Sequence, residues 1–254
     1  MFYFFLNFAV ISLLSVLAVM VMLWFRRQIG TEALRRNHEV AGYVYAVIGA
    51  IFAVTVALVV DTVHDEYLTA ERYAATEAIQ VASIYQLTDW FPGNGDERLK
   101  RQLQQYAHAV VDKEWERANR AGDPASPEAE AAFHDIVTSV RTLNPANIQQ
   151  QTAYTEMVHR LSELREYRYN RLYGKQSELP FPLWFAVVFG GVITIGFTLF
   201  FSMENPKAQI VLIFCVSALI WSNIMVISQV HYPFNGIDVT PPRAFINWLG
   251  RLDR

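Results

Sequence analysis

The stretch EVAGYVYAVIGAIFAVTVALVVDTVHDEYLTAERYAATEAIQVASIYQLTDWF, residues 39–91, holds no proline, and its only glycines are Gly42 and Gly49. Its first third is apolar enough to cross a bilayer and the remainder is polar, so one helix is expected to begin in lipid and end in water. With helical periodicity, Gly42, Ala46, Gly49, Ala50, Ala53 and Ala57 fall on one stripe, which continues through Val60, His64, Tyr67, Glu71, Ala78, Ala82 and Tyr85. The opposite side carries Val44, Val47, Ile51 and Leu58. Past Asp61 it switches to Asp65, Glu66, Thr69, Thr76 and Gln80, as a face leaving lipid for water does. The small-residue face persists across that boundary. It suits close approach, either to other helices or around a narrow axis.

Working outward, three more apolar runs are long enough to span a bilayer. The full set is 2–25, 42–60, 181–201 and 208–230. The first lacks a basic leader and is followed by Arg26 and Arg27, so it reads as a retained anchor rather than a signal peptide. Trp24, Tyr43, Trp184 and Tyr232 lie near span ends, where amphipathic rings favour the interface. Arg26, Arg27, Arg35 and Arg36 in the linker between the first two spans place that linker in the cytoplasm by the positive-inside rule. Arg243, Arg251 and Arg254 in the tail pull the other way, so the side of the extramembrane domain stays open.

Composition agrees with a chain partly in and partly out of a membrane: 254 residues, 53% hydrophobic, 18% charged, net charge −3. No bulk basicity points to nucleic acid as a partner. The single cysteine, Cys215, excludes a disulfide within the chain and reads as a small apolar residue.

Between spans two and three the sequence is helical. Phe91-Pro92-Gly93-Asn94-Gly95 breaks the long helix, and Asp96 is placed to cap a second one bearing Leu99, Leu103, Tyr106 and Val110 and running to about Ala121. Ser126 with Pro127 and Glu128 starts a third, faced by Phe133, Ile136, Val137, Val140 and Leu143. After Asn144-Pro145 a fourth carries Tyr154, Met157, Val158, Leu161, Leu164 and Leu172 and stops at Gly174. No segment alternates with period two. The expected fold is an all-α membrane protein with four transmembrane helices, two plus two, and a helical domain between spans two and three. Its parts are a hairpin at 1–63, an extramembrane domain at 64–179, a second hairpin at 180–230 and a tail at 231–254. The middle domain has modest apolar content for its length, which points to an oligomer.

Catalytic and metal motifs are not found: no phosphate loop, no metal-spaced His/Cys set and no nucleophile elbow, so no cofactor, metal or enzymatic activity is expected. His64-Asp65 and His134-Asp135 read as solvated helix surface. Glu114-Trp115 and the run Arg165, Arg168, Arg171 read as charged helix faces, with an anion site as the alternative. Polar residues in the spans cost more. Asp61, His64 and Glu39 flank the small stripe and either face water in the headgroup region or belong to a pore. Thr55 is expected to bond its own helix and Asn223 to bond a neighbouring one. Gly190, Gly191 and Gly196 are expected to permit close helix contact.

NHEVAGYVYAVIG at 37–49, with Glu77-Ala78, Glu114-Trp115, Arg168 and Arg171, Leu179-Pro180, Trp184 and Pro233-Phe234-Asn235-Gly236, resembles the bestrophin-like domain family of bacterial membrane proteins. The resemblance implies a homo-oligomer, pentameric in true bestrophins, set in the bacterial inner membrane. It also implies an anion-selective channel with the second span lining the pore and the helical domain in the cytoplasm. Its partners are the bilayer, further copies of itself and inorganic ions. Pore-lining candidates are then Gly42, Ala46, Gly49, Ala50, Ala53, Ala57, Val60 and His64, and ring candidates are Glu39, Asp61 and Glu71. This chain differs from true bestrophins in having alanine and glycine where their necks carry bulky apolar side chains. Acidic rings would favour cations. A non-conducting scaffold or envelope protein, whose stripe is a packed seam and whose helical domain binds a partner, is the competing expectation.

Overall fold

The computed structural model describes residues 2–29, 38–91, 94–115, 125–173, 179–201, 203, 205–230 and 242–252. Among them every regular element is helical: α1 (Phe2–Ile29), α2 (His38–Leu87), α3 (Asn94–Ala109), α4 (Pro127–Thr142), α5 (Ile148–Tyr173), α6 (Phe181–Phe197), α7 (Pro206–Val230) and α8 (Arg243–Leu252). The all-α expectation holds, and α1, α2, α6 and α7 are the four helices long and apolar enough to cross a membrane. Their positions match the four expected spans. The long helix ends at Leu87 in a short 3-10 turn, Thr88–Trp90, just before the expected break at residues 91–95, and α3 begins within that break at Asn94, ahead of the expected Asp96 cap. The expected stops at Ala121 and Gly174 lie outside the described residues.

Local chemistry explains how α4 and α5 start. The Ser126 hydroxyl accepts from the Ala129 N–H at 3.0 Å, with Pro127 in the first turn, as the sequence indicates. At the start of α5 the Asn147 and Gln150 side chains each accept a backbone N–H, a pairing with no counterpart in the sequence reading. The Gln150 N–H donates to the Asn147 side chain at 2.9 Å, and the Ala146 N–H donates to the Gln150 side chain at 2.7 Å. Such side chains satisfy amide donors that a helix start leaves free.

The chain divides into two compact units, Met1–Asp65 with Ser177–His231, and Glu66–Gln176 with Tyr232–Arg254. In the first, Val59 and Val63 of α2 bury against Val187 of α6 and Ile220, Ile224 and Ile227 of α7, with Phe52 and Val56 packed alongside. Phe52, Val56, Val59 and Val63 recur at helical spacing, so α2 turns one side to its own chain. Gly190 and Gly191 make this possible. A Cβ on Gly191 would lie 2.9 Å from Ile220 Cγ2 and 3.3 Å from Ile224 Cδ1, and one on Gly190 would lie 2.9 Å from the Phe52 ring. A Cβ on Gly196 would meet nothing within 4 Å, contrary to the expected close contact there. Gly191→Ala is therefore expected to cost about 1–3 kcal/mol through overpacking, and Gly196→Ala almost nothing; thermal unfolding midpoints of the purified variants check this.

Two further polar expectations resolve locally. The Thr55 hydroxyl donates to its own helix at the Ile51 carbonyl, 2.9 Å away, as expected. Asn223 does the same toward the Leu219 carbonyl at 2.8 Å, rather than reaching a neighbouring helix. A side-chain amide can share the carbonyl one turn back with the backbone N–H that already bonds it. Arg26, read only as part of a basic linker, donates to the Gln209 side chain at 2.6 Å and to the Met203 carbonyl at 3.3 Å.

The second unit has its own core. Ala70, Ala74, Ala78, Val81 and Ile84 of α2, Leu99, Leu103 and Tyr106 of α3, Phe133 and Ile136 of α4, and Met157, Leu161 and Leu164 of α5 are buried together. Phe245 of α8 is buried with them, its ring 6.5 Å from that of Tyr106. The lower part of the α2 stripe thus becomes core at Ala78, and Gln80 on the supposed watery back is buried beside Arg160. The alanines face inward because three helices of this unit need a close backbone to pack on.

Candidate functional site

Around α2 the upper stripe behaves differently from the lower. Ala46, Ala50, Ala53, Ala57, Val60 and His64 are exposed in the single chain. Gly42 is half-buried, with the Phe201 ring 4.0 Å from where its Cβ would be, and Gly49 is half-buried with open space beside it. Asp61 and Glu71 are exposed, whereas the Glu39 side chain lies outside the described residues. Val44, Val47, Ile51, Val54 and Leu58 are exposed as well, on another side of the helix. The membrane part of α2 is therefore three-sided: one side packed into its own chain, one of large apolar residues left bare, and one of small residues left bare.

In the second unit the structure brings Glu77 together with Glu114, Arg168 and Arg171, the last three expected on charged helix faces. Glu77, Glu114, Arg168 and Arg171 are 0%, 1%, 4% and 5% exposed. Arg171 grips Glu77 with two nitrogens, Nε on one carboxylate oxygen and Nη2 at 3.0 Å on the other, and Nη2 also donates to Glu114 at 2.7 Å. Arg168 donates to the other Glu114 oxygen at 2.8 Å, to Glu130 at 3.0 Å and to the Tyr106 hydroxyl at 3.2 Å. Tyr106 closes the circuit by donating to Glu77. The buried carboxylates and guanidiniums thus balance in charge. That balance is what permits ions in a core, since each alone would bear a desolvation cost of several kcal/mol. Aromatic faces complete the cage, with the Arg171 guanidinium 5.0 Å from the Trp115 ring centre and that of Arg168 5.4 Å from Tyr106.

Backbone geometry aims Glu114 inward. Val110–Glu114 forms a π-helical turn at the end of α3. Leu103, Tyr106, Val110 and Glu114 follow one another at spacings of three, four and four residues, so Glu114 already belongs to the inward face of α3, and the π-helical turn leaves it there. The apolar stripe ends at Val110, and Glu114 extends it by one turn. The arginines follow the same rule. Met157, Leu161, Leu164, Arg168 and Arg171 repeat at spacings that keep one side of α5 inward, and all are buried. Extending the apolar stripe past Leu164 was the signal that marked them.

The circuit sets a pH response. Burial, then the neighbouring Glu77 carboxylate, pushes the Tyr106 phenol well above its usual 10.0, against the opposing pull of Arg168 and Arg171. Burial works against the charge on both arginines, but Tyr106 and Glu114 around Arg168, and Glu77 around Arg171, outweigh it and raise both. The folded phenol stays protonated where the unfolded one ionises. Its contribution to stability is therefore complete below about pH 10 and is lost as pH climbs toward the raised folded value. Tyr106→Phe is expected to flatten that alkaline decline while costing about 1–3 kcal/mol at neutral pH, from the two groups left short of a partner. Unfolding midpoints measured between about pH 8 and 11 check both.

No group of three or more His, Cys, Asp or Glu side chains placed to hold a metal occurs among the described residues. His134 and Asp135 are exposed, as solvated surface. Asn37 and Pro233–Gly236, which carry part of the family resemblance, lie outside the described residues.

Comparison with known proteins now bears on the whole. No curated protein matches the sequence. Among solved structures, the chain is similar to a bacterial bestrophin homologue from Klebsiella pneumoniae carrying a single substitution. The identity is 15%, the TM-score 0.66, and the alignment covers 97% of each chain. Two structures of a membrane protein with proline-to-alanine substitutions align at TM-scores of 0.64 and 0.63, with 15% and 16% identity, over 97% of this chain and 95% of theirs. The fold is thus bestrophin-like, and the protein is a multi-pass membrane protein. The sequence profile of the bestrophin-like domain matches residues 13–245, and the chain belongs to that family.

Proposed function

We propose that the protein is an oligomeric ion channel of the bacterial inner membrane whose pore is lined by the membrane part of α2. The observation that carries this reading is the three-sided helix. With one side sealed by Phe52, Val56, Val59 and Val63, the large apolar side from Val44 to Leu58 suits lipid. The small side at Ala46, Ala50, Ala53 and Ala57 is left for further copies or for water around their shared axis. Family membership supports the same reading, and the resemblance to true bestrophins points to a pentamer. As to the ion, the resemblance favours anions, while exposed Asp61 and Glu71 favour cations where they form rings.

Purified protein in a planar bilayer under a salt gradient is expected to give discrete currents, with the reversal potential reporting the sign of the ion. Electrical silence across several lipid compositions contradicts the proposal. The bareness of the same alanines also favours a second reading, a tight helix–helix seam in a non-conducting scaffold, because small residues are what close helix contacts use. Water access to the stripe separates the two.

A further inference from the structure

The extramembrane unit holds a feature that pore formation does not use. An open cleft of about 380 Å³ runs between α4 and α5, within the size range, roughly 300–1,000 Å³, of small-molecule sites. Phe133, Val137 and Leu172 supply its apolar wall, and Arg141, Arg165 and Arg168 supply its charge. Arg141 and Arg165 make no ion pair or hydrogen bond among the described residues. Arg165 instead lies over the Phe133 ring, 5.9 Å from its centre, opposite in role to Arg168, which is committed to the buried circuit.

One carboxylate is already in this cleft. Glu130 accepts from Arg168 at 3.0 Å although its side chain is 67% exposed, so the outward N–H of a buried guanidinium is served by a group that is mostly in water. A carboxylate held that loosely is replaceable, since the exposed partner keeps little Coulomb gain against solvent. An entering anion meets the same N–H and, unlike Glu130, brings its charge to two guanidiniums that have no ion-pair partner among the described residues.

The geometry points to a binding site for a small organic anion: its carboxylate or phosphate is held by Arg141, Arg165 and the Arg168 N–H now occupied by Glu130, and its apolar or aromatic body lies against Phe133, Val137 and Leu172. Guanidiniums suit such groups because their planar donors match two oxygens at once. The wall selects against bare inorganic ions, and the charge selects against neutral rings.

Phenyl phosphate is the probe, with benzyl alcohol as a ring lacking charge and inorganic phosphate as charge lacking a ring. Binding is read by equilibrium dialysis on the full chain in zwitterionic nanodiscs. Saturable binding of phenyl phosphate is expected, with both controls at least about tenfold weaker. The Arg141→Gln/Arg165→Gln variant should lose at least about tenfold with little change in unfolding midpoint, because neither side chain gives up an ion pair or hydrogen bond. Glu130→Gln should bind phenyl phosphate several-fold more tightly, as its carboxylate no longer competes for Arg168. Absence of saturable binding, equal binding of benzyl alcohol, an unchanged affinity in the double variant, or weaker binding in Glu130→Gln would each overturn the assignment. Because no current enters the measurement, its failure leaves the channel reading standing, and electrical silence leaves this site standing.

Discussion

Arg171→Ala is expected to destabilise the second unit, Glu66–Gln176 with Tyr232–Arg254, by about 3–5 kcal/mol, the penalty for stranding buried charge. The side chain sits between Glu77 and Glu114, both with carboxylates fully shielded from solvent, and is the link that neutralises one against the other. Without it, Glu77 keeps only the Tyr106 hydroxyl, and Glu114 shares Arg168 with Glu130. Arg171→Lys should recover part of the loss but not all, since a single ammonium cannot serve two oxygens of Glu77 and one of Glu114 in one plane. The companion Glu77→Leu/Arg171→Met removes both members of the pair and is expected to cost much less than the sum of the single changes, by about 0.5–3 kcal/mol of coupling. Thermal or denaturant unfolding of the full chain in detergent measures these three variants and the single changes Glu77→Leu and Arg171→Met that complete the cycle. A loss below about 1 kcal/mol for Arg171→Ala would mean that the circuit is not the brace described.

Equally large effects are expected from a charge placed on one or the other bare side of α2. Val47→Asp puts a carboxylate on the large apolar side, which the proposal assigns to lipid, at a cost of roughly 2.5–3.5 kcal/mol per residue near a helix centre. The variant should reach the membrane poorly and run as a disrupted oligomer in size-exclusion chromatography. Ala50→Asp, one turn away on the small side, should insert and assemble normally if that side borders water, and should shift the reversal potential toward cation permeation by adding a ring of negative charge. Equal loss of assembly in both variants would fit a dry seam and not a pore.

The same residues explain how much was legible beforehand. Helices and spans followed from periodicity and apolar length, and the Ser126 cap from side-chain chemistry, because those signals are local. The packed side of α2 was missed although Phe52, Val56, Val59 and Val63 repeat at helical spacing. Attention to residue size hid a second periodicity beside the alanine stripe. Glu77, Arg168 and Arg171 occupy inward positions on otherwise apolar faces, and their charge disguises that position. Burial of an ion depends on partners from other helices, and no single segment reveals them. Glu114 continues the stripe of Leu103, Tyr106 and Val110 by one more turn, and its charge alone disguised that position. Asn223 failed in the opposite sense, being assigned a distant partner when its own helix offered one.

The central claim is that the small side of α2 borders water in the assembled protein while the large apolar side does not. Because Cys215 is exposed, the measurement begins from Cys215→Ser. In that background Ala50→Cys, Ala53→Cys, Val47→Cys and Val54→Cys are each treated in intact membranes with a charged, water-soluble thiol reagent. The proposal requires rapid labelling at 50 and 53 and protection at 47 and 54. Protection at 50 and 53, with currents absent, would contradict it and leave the stripe as a seam.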